Sequence, residues 1–217
     1  MSVRTSPLKS ILKRACKAIK ESHMLRERFH EDMRKVTSLS KQSILQIHRN
    51  QLTEAASLLG EAGEVISKLN ILSKDYPDII YGGLFSIALQ EYAEARILLH
   101  LVTENTFVAP EEIGVPFPEY LLGLADVIGE CRRLVLEALR DGNMEKSEFF
   151  LKVMEEIYIE LLALGDAYML VPELRRKCDV ARRIIEATRG DVILEVRRLR
   201  LEKLLEHIEE ASKRALR

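Results

Sequence analysis

Tryptophan is absent, aromatic residues make up only 6% of the chain, and there are three cysteines and six prolines in 217 residues. Each scarcity excludes something. Cys16, Cys131 and Cys178 are far apart and odd in number, with no CxxC and no His/Cys zinc spacing. A disulfide framework and a structural zinc site are therefore not expected, and the cysteines read as reduced thiols of a cytoplasmic protein. No apolar run approaches the roughly 20 residues that span a bilayer, so no membrane partner is expected. The first residues show no apolar core of a secretory signal. A glycine-rich phosphate loop, a serine nucleophile elbow, an HExxH motif and internal repeats are all missing.

What remains is a helix-former's alphabet. Hydrophobic residues make up 47% and charged residues 31%, with Leu, Ile, Ala, Glu, Lys and Arg prominent. The core must be mostly aliphatic. Almost every segment shows a 3.6-residue apolar period, and none sustains the alternation of a strand. The few prolines and glycines then divide the chain. A long first helix starts near Pro7 and runs to about residue 49, and a second covers about 52–72. The sequence 73–77 breaks it, and a third helix runs from about 79 or 83 to 103. Residues 104–118, with Pro110, Gly114, Pro116 and Pro118, form the longest loop, because proline lacks the N–H that a helix interior needs. A fourth helix spans about 119–140. Asp141-Gly142-Asn143 reads as a stop followed by a cap, and a fifth helix covers about 144–164. A sixth runs from about 172 to 189, and Gly190-Asp191 reads as another stop and cap before a seventh, about 192–216. The expectation is an all-α, seven-helix bundle with a long first helix, in one domain over 1–217.

The net charge of -1 conceals an uneven distribution. Residues 1–50 carry twelve lysines and arginines against the four acids Glu21, Glu27, Glu31 and Asp32. Such a face suits a polyanion, although a solvated helix surface has the same composition.

The third helix carries acids where apolar residues belong. Leu84, Ile87, Ala88, Glu91, Glu94, Ala95, Leu98 and Val102 follow the spacing of a buried face. Glu91 and Glu94 fall in its middle, about one turn apart. Burying two neighbouring carboxylates is costly. Ion pairs with Arg or Lys, a metal ion, or a wet cavity would each relieve the cost. The fourth helix adds a second same-face pair, Asp126 and Glu130, beside Gly123 and Gly129. Two glycines inside a helix point to close approach by a ligand or another backbone, or to tight helix packing. Four carboxylates on neighbouring helices suit a hard cation such as Mg²⁺, with Mn²⁺ as an alternative. A di-iron site is not expected, because neither acidic pair has a histidine at Glu-x-x-His spacing.

Three blocks then resemble the translin/Trax family, its Trax branch in particular. Residues 34–49, RKVTSLSKQSILQIHR, resemble the family run R-x-I-T-x-x-S-K-x-x-I-x-x-x-H-R. Residues 89–95, LQEYAEA, are similar to the Trax motif LQEYVEA, and residues 120–130, YLLGLADVIGE, to YLLGVADLTGE. The resemblance covers roughly residues 30–140. It implies a magnesium-dependent endoribonuclease that cleaves single-stranded RNA inside a closed, octamer-like shell. It also implies that Glu91, Glu94 and Asp126 are the catalytic, metal-binding carboxylates, with Glu130 as a further metal-site acid. Translin lacks the full acidic set and binds nucleic acid together with Trax. A translin-type partner subunit or a homo-oligomer is the corresponding expectation, and a non-catalytic single-stranded RNA- or DNA-binding protein is the alternative. A helical scaffold without a nucleic-acid role is a third reading. The short loop and the lack of a long basic tail look archaeal or prokaryotic.

Arg34, Lys41 and Arg49 are the candidate RNA-backbone contacts. Arg34 and Lys41 lie one heptad apart, and pairing with Glu91 or Glu94 is their other possible role. For His48 a hydrogen-bonded core position is expected, for Tyr92 helix packing, and for Arg132 and Arg133 a place beside the acidic face.

Overall fold

The computed structural model describes residues 5–72 and 83–215. Among the described residues all regular structure is helical: α1 (Thr5–His48), α2 (Leu52–Leu72), α3 (Gly83–Glu104), α4 (Pro110–Ile113), α5 (Phe117–Arg140), α6 (Met144–Leu162), α7 (Asp166–Leu170) and α8 (Leu174–Ala215). The all-α expectation holds, with two short helices in the connections. The break at 73–77 and the alternative start at 79 lie outside the described residues. None of the described helices is long and apolar enough to cross a membrane.

The helix faces follow from spacing. In α1, Phe29, Met33, Val36, Ser40, Ser43 and Ile47 recur every three or four residues and are all buried. They pack on α2 and α3, and α2 answers with Ala55, Leu59, Ala62, Ile66 and Leu69. The α1–α2 turn is set by Asn50, whose φ of 58° lies in the left-handed region that asparagine tolerates. Helix α3 sits between α1 and α5 and also touches α2. It is consequently buried on several sides, through Phe85, Leu89, Tyr92, Ile97, Leu98 and Leu101. Its expected stripe is only partly correct, because Leu84 and Ile87 are 43% and 50% exposed. Helices α6 and α8 complete the core against α5.

The terminators behave as their chemistry requires, with one exception. Gly142 has φ 72°, and the Asn143 side chain accepts from the Lys146 N–H at 3.0 Å, capping α6. Gly114 closes α4 at φ 65°. The expected stop at Gly190-Asp191 is absent: both residues lie inside α8, which is one helix of 42 residues. Arg132 of α5 explains the continuity. Its guanidinium donates to Thr188 Oγ1 at 2.7 Å and lies 3.1 Å from Asp191 Oδ2. Asp191 therefore serves a tertiary ion pair rather than a cap. A mid-helix glycine costs only about 1 kcal/mol.

Two helix ends extend beyond the packed core. The first part of α1 exposes Leu8, Ile11, Leu12 and Ile19, and the last part of α8 exposes Leu201, Leu204, Leu205 and Ile208.

Candidate metal centre

Helices α3 and α5 bring the two acidic pairs together. Their approach depends on Gly123. A Cβ at that position would lie 2.7 Å from the Gln90 carbonyl oxygen and 2.9 Å from the Glu94 nitrogen. Any side chain there would collide with backbone, so Gly123 lets α5 lie directly on the Gln90–Glu94 turn. Gly129 is different: a Cβ there would meet nothing within 4 Å. Of the two glycines in α5, one is therefore required by a neighbouring backbone and the other faces open space. Helix α3 meets α2 at another glycine, Gly63, which accommodates Tyr92, whose hydroxyl would lie 2.8 Å from an added Cβ. Tyr92 is 4% exposed and is a packing residue, as expected.

Glu94 occupies the middle of the cluster. It is 9% exposed, the only buried acid among the described residues, and makes no hydrogen bond or ion pair there. Burial raises its pKa to about 9, and the charges of Asp126, Glu130 and Glu91 push in the same direction, with Lys177 opposing. The four predicted acids thus share one electrostatic site, in which Glu94 holds a proton at neutral pH.

Each of the other three acids faces a cation or histidine from another helix. Glu91 Oε1 lies 3.2 Å from Lys41 Nζ of α1. Asp126 receives the Lys177 ammonium of α8 at 2.5 Å on Oδ1 and 2.6 Å on Oδ2, while Gln90 Nε2 donates to Oδ2 at 2.6 Å. Glu130 Oε2 lies 2.6 Å from His48 Nε2, and Glu137 Oε2 lies 3.3 Å from His48 Nδ1. The His48 side chain is only 2% exposed. It is the hydrogen-bonded core histidine expected, with a carboxylate at each ring nitrogen. Among the described residues, no three His, Cys, Asp or Glu side chains converge as a ready-made metal cage. The donors are nevertheless all carboxylate oxygens, and Glu94 is buried without a partner. Oxygen donors of this kind are the chemistry a hard divalent cation takes, with waters filling its remaining positions.

The basic candidates separate. Lys41 lies against Glu91, whereas Arg34 and Arg49 are exposed, with no side-chain ion pair among the described residues. Arg132 is tied to α8, and Arg133 lies 3.4 Å from Glu137.

The translin family profile matches residues 24–187, which include all four acids and the helices that carry them. The chain belongs to the translin family. A relative, an uncharacterized protein of Methanocaldococcus jannaschii, is 36% identical over 187 residues, covering 85% of this chain and 82% of the relative. Among solved structures of similar fold, apo-NeC3PO superposes with a TM-score of 0.76 at 26% identity, covering 90% of this chain and 98% of that one. AfC3PO superposes with a TM-score of 0.75 at 34% identity, covering 87% and 98% of the two chains, and one of its structures is a complex with duplex RNA.

Within this translin-family fold, the structure adds three contributors that are not singled out from the sequence. Lys177 lies on a different helix, 51 residues after Asp126, and no periodicity joins them. Gln90 stands inside the LQEYAEA block without an evident role. Glu137 was the most accessible of the three: Asp126, Glu130, Arg133 and Glu137 lie at i, i+4, i+7 and i+11, one continuous face of α5.

Proposed function

We propose that this translin-family chain is a Trax-like, Mg²⁺-dependent endoribonuclease acting on single-stranded RNA within a closed, octamer-like homo-oligomer. Mn²⁺ is a substitute metal, and a translin-type partner subunit is a variant of the same assembly. The observation that carries the reading is Glu94, a buried carboxyl without a partner, surrounded by three further acids. A largely buried carboxyl with no protein partner and like charges around it is the place where a cation would relieve the repulsion.

Glu91, Glu94 and Asp126 would hold the ion, with Glu130 completing the donor set. A divalent cation so held polarises a phosphoryl oxygen and makes water a better nucleophile. Glu94 must give up its proton to become a donor. Gln90 fixes the Asp126 carboxylate from α3, and His48 fixes Glu130 from α1. Arg34 and Arg49, exposed on and just after α1, remain available for the RNA backbone, and Lys41 is available once it leaves Glu91. RNA as the ligand class agrees with the duplex-RNA complex of AfC3PO. The preference for single strands follows from the Trax-like blocks.

The test is cleavage of single-stranded and duplex RNA by purified protein in Mg²⁺ or EDTA. Wild type should cut single strands only with the metal. Glu94→Ala should lower the rate more than about a hundredfold, the scale of losing several kcal/mol of charge stabilisation. Undiminished cleavage by Glu94→Ala defeats the assignment.

One observation favours a non-catalytic nucleic-acid-binding role instead. Lys41, Lys177 and His48 already face three of the four acids, so a structural network could account for them without a metal. RNA binding without cleavage in either Mg²⁺ or Mn²⁺ would decide for that role.

A further inference from the structure

The Lys177–Asp126 pair stands apart from the other contacts of the acid cluster. Lys41 approaches a single oxygen of Glu91 at 3.2 Å, and its side chain is 61% exposed. Lys177 spans both oxygens of Asp126 at 2.5 and 2.6 Å, and its side chain is 15% exposed. An ammonium in that position covers the bidentate face of the carboxylate. It also places a positive charge where a dication would have to sit, in surroundings that screen weakly.

Beside the pair is room for the ammonium to leave. A cleft of about 220 Å³ between α5 and α8 is lined by Asp126, Lys177, Gly129, Ala181 and Ile184, with Arg176 among its walls. The wall at Gly129 faces open space, where an added Cβ would meet nothing within 4 Å. Lysine suits such a move, being a compact charge on a flexible four-carbon stem, and Gln90 would keep hold of Asp126 from α3.

We propose that Lys177 is the resident counter-cation of Asp126 and that a divalent cation engages this carboxylate only when the ammonium swings into the α5–α8 cleft. Lys177 is thus a positioning residue that sets the metal affinity of the site and keeps Asp126 paired in the metal-free chain. The inference rests on the reading of the four acids as metal ligands.

Two measurements test it, and the proposal requires both results. Isothermal titration of the full chain with Mn²⁺ should show binding about tenfold tighter for Lys177→Met than for wild type. Lys41→Met, which removes a more exposed charge, should change the affinity less, and Glu94→Gln should abolish binding. Separately, acetylation of wild type by an N-hydroxysuccinimide ester, read by peptide mass spectrometry, should become severalfold faster at Lys177 when Mn²⁺ is added. This second measurement needs no variant, so it stands even if Lys177→Met does not fold. Equal affinity of wild type and Lys177→Met, equal gains from Lys177→Met and Lys41→Met, or Lys177 labelling unaffected by Mn²⁺ overturns the inference while leaving the metal site in place. Absence of Mn²⁺ binding in wild type and Lys177→Met alike overturns the metal site as well.

Discussion

A carboxyl group that holds its proton more tightly in the folded chain than in the unfolded one makes stability depend on pH. Glu94 is such a group, raised from 4.5 to about 9 by burial first and by its three acidic neighbours second. Between those two values the folded state keeps a proton that the unfolded state has released. Its stabilising contribution is therefore complete below about 4.5 and is lost as pH rises toward 9. In a chelating buffer, thermal stability should fall as pH rises across this window, by at most about 1.4 kcal/mol per pH unit. Glu94→Gln, uncharged at every pH, should flatten the profile. Parallel melting profiles for wild type and Glu94→Gln would show that the group titrates alike in both states.

Elements respond differently from single groups, as α8 illustrates. Gly190 and Asp191 have the composition of a boundary, yet the helix continues through them because Arg132 of α5 fastens Thr188 and Asp191. Gly190 is exposed, and an added Cβ there meets nothing within 4 Å. Gly190→Ala should therefore stabilise the chain by about 0.5–1 kcal/mol, read as a higher midpoint in urea; an unchanged or lower midpoint would mean that the junction needs glycine's freedom. The same element shows which information a single sequence holds. Helix periods place Glu91 with Glu94 and Asp126 with Glu130, so each pair was legible from spacing alone. The Trax-like blocks then joined the two pairs. Lys177 was invisible because its pairing depends on how α8 lies along α5, a matter of packing across 51 residues. The exposure of Leu84 and Ile87 was equally hidden: apolar spacing marks a face, but only the neighbouring helices determine how far along that face burial extends.

At the scale of the whole molecule, the packed core stops short of two helix ends. Leu8, Ile11, Leu12 and Ile19 form an apolar stripe on α1, flanked by Lys9, Lys13, Lys17 and Lys20. An assembled shell would give that stripe a partner. Ile11→Glu combined with Ile19→Glu should leave the unfolding free energy of the protomer within about 0.5 kcal/mol, since both residues lie outside the core. The same double variant should reduce the particle mass measured by light scattering. An unaltered mass would place the subunit contacts elsewhere. Helix α1 also has a mechanical consequence. Its 44 residues form an unbroken rod about 66 Å long. Among the described residues the outer arm of that rod is exposed, whereas the inner arm carries Lys41 and His48 against Glu91 and Glu130. Because α1 is continuous through Phe29, where full burial begins, a partner seated on its outer arm would be joined by one uninterrupted helix to the residues that face the acid cluster.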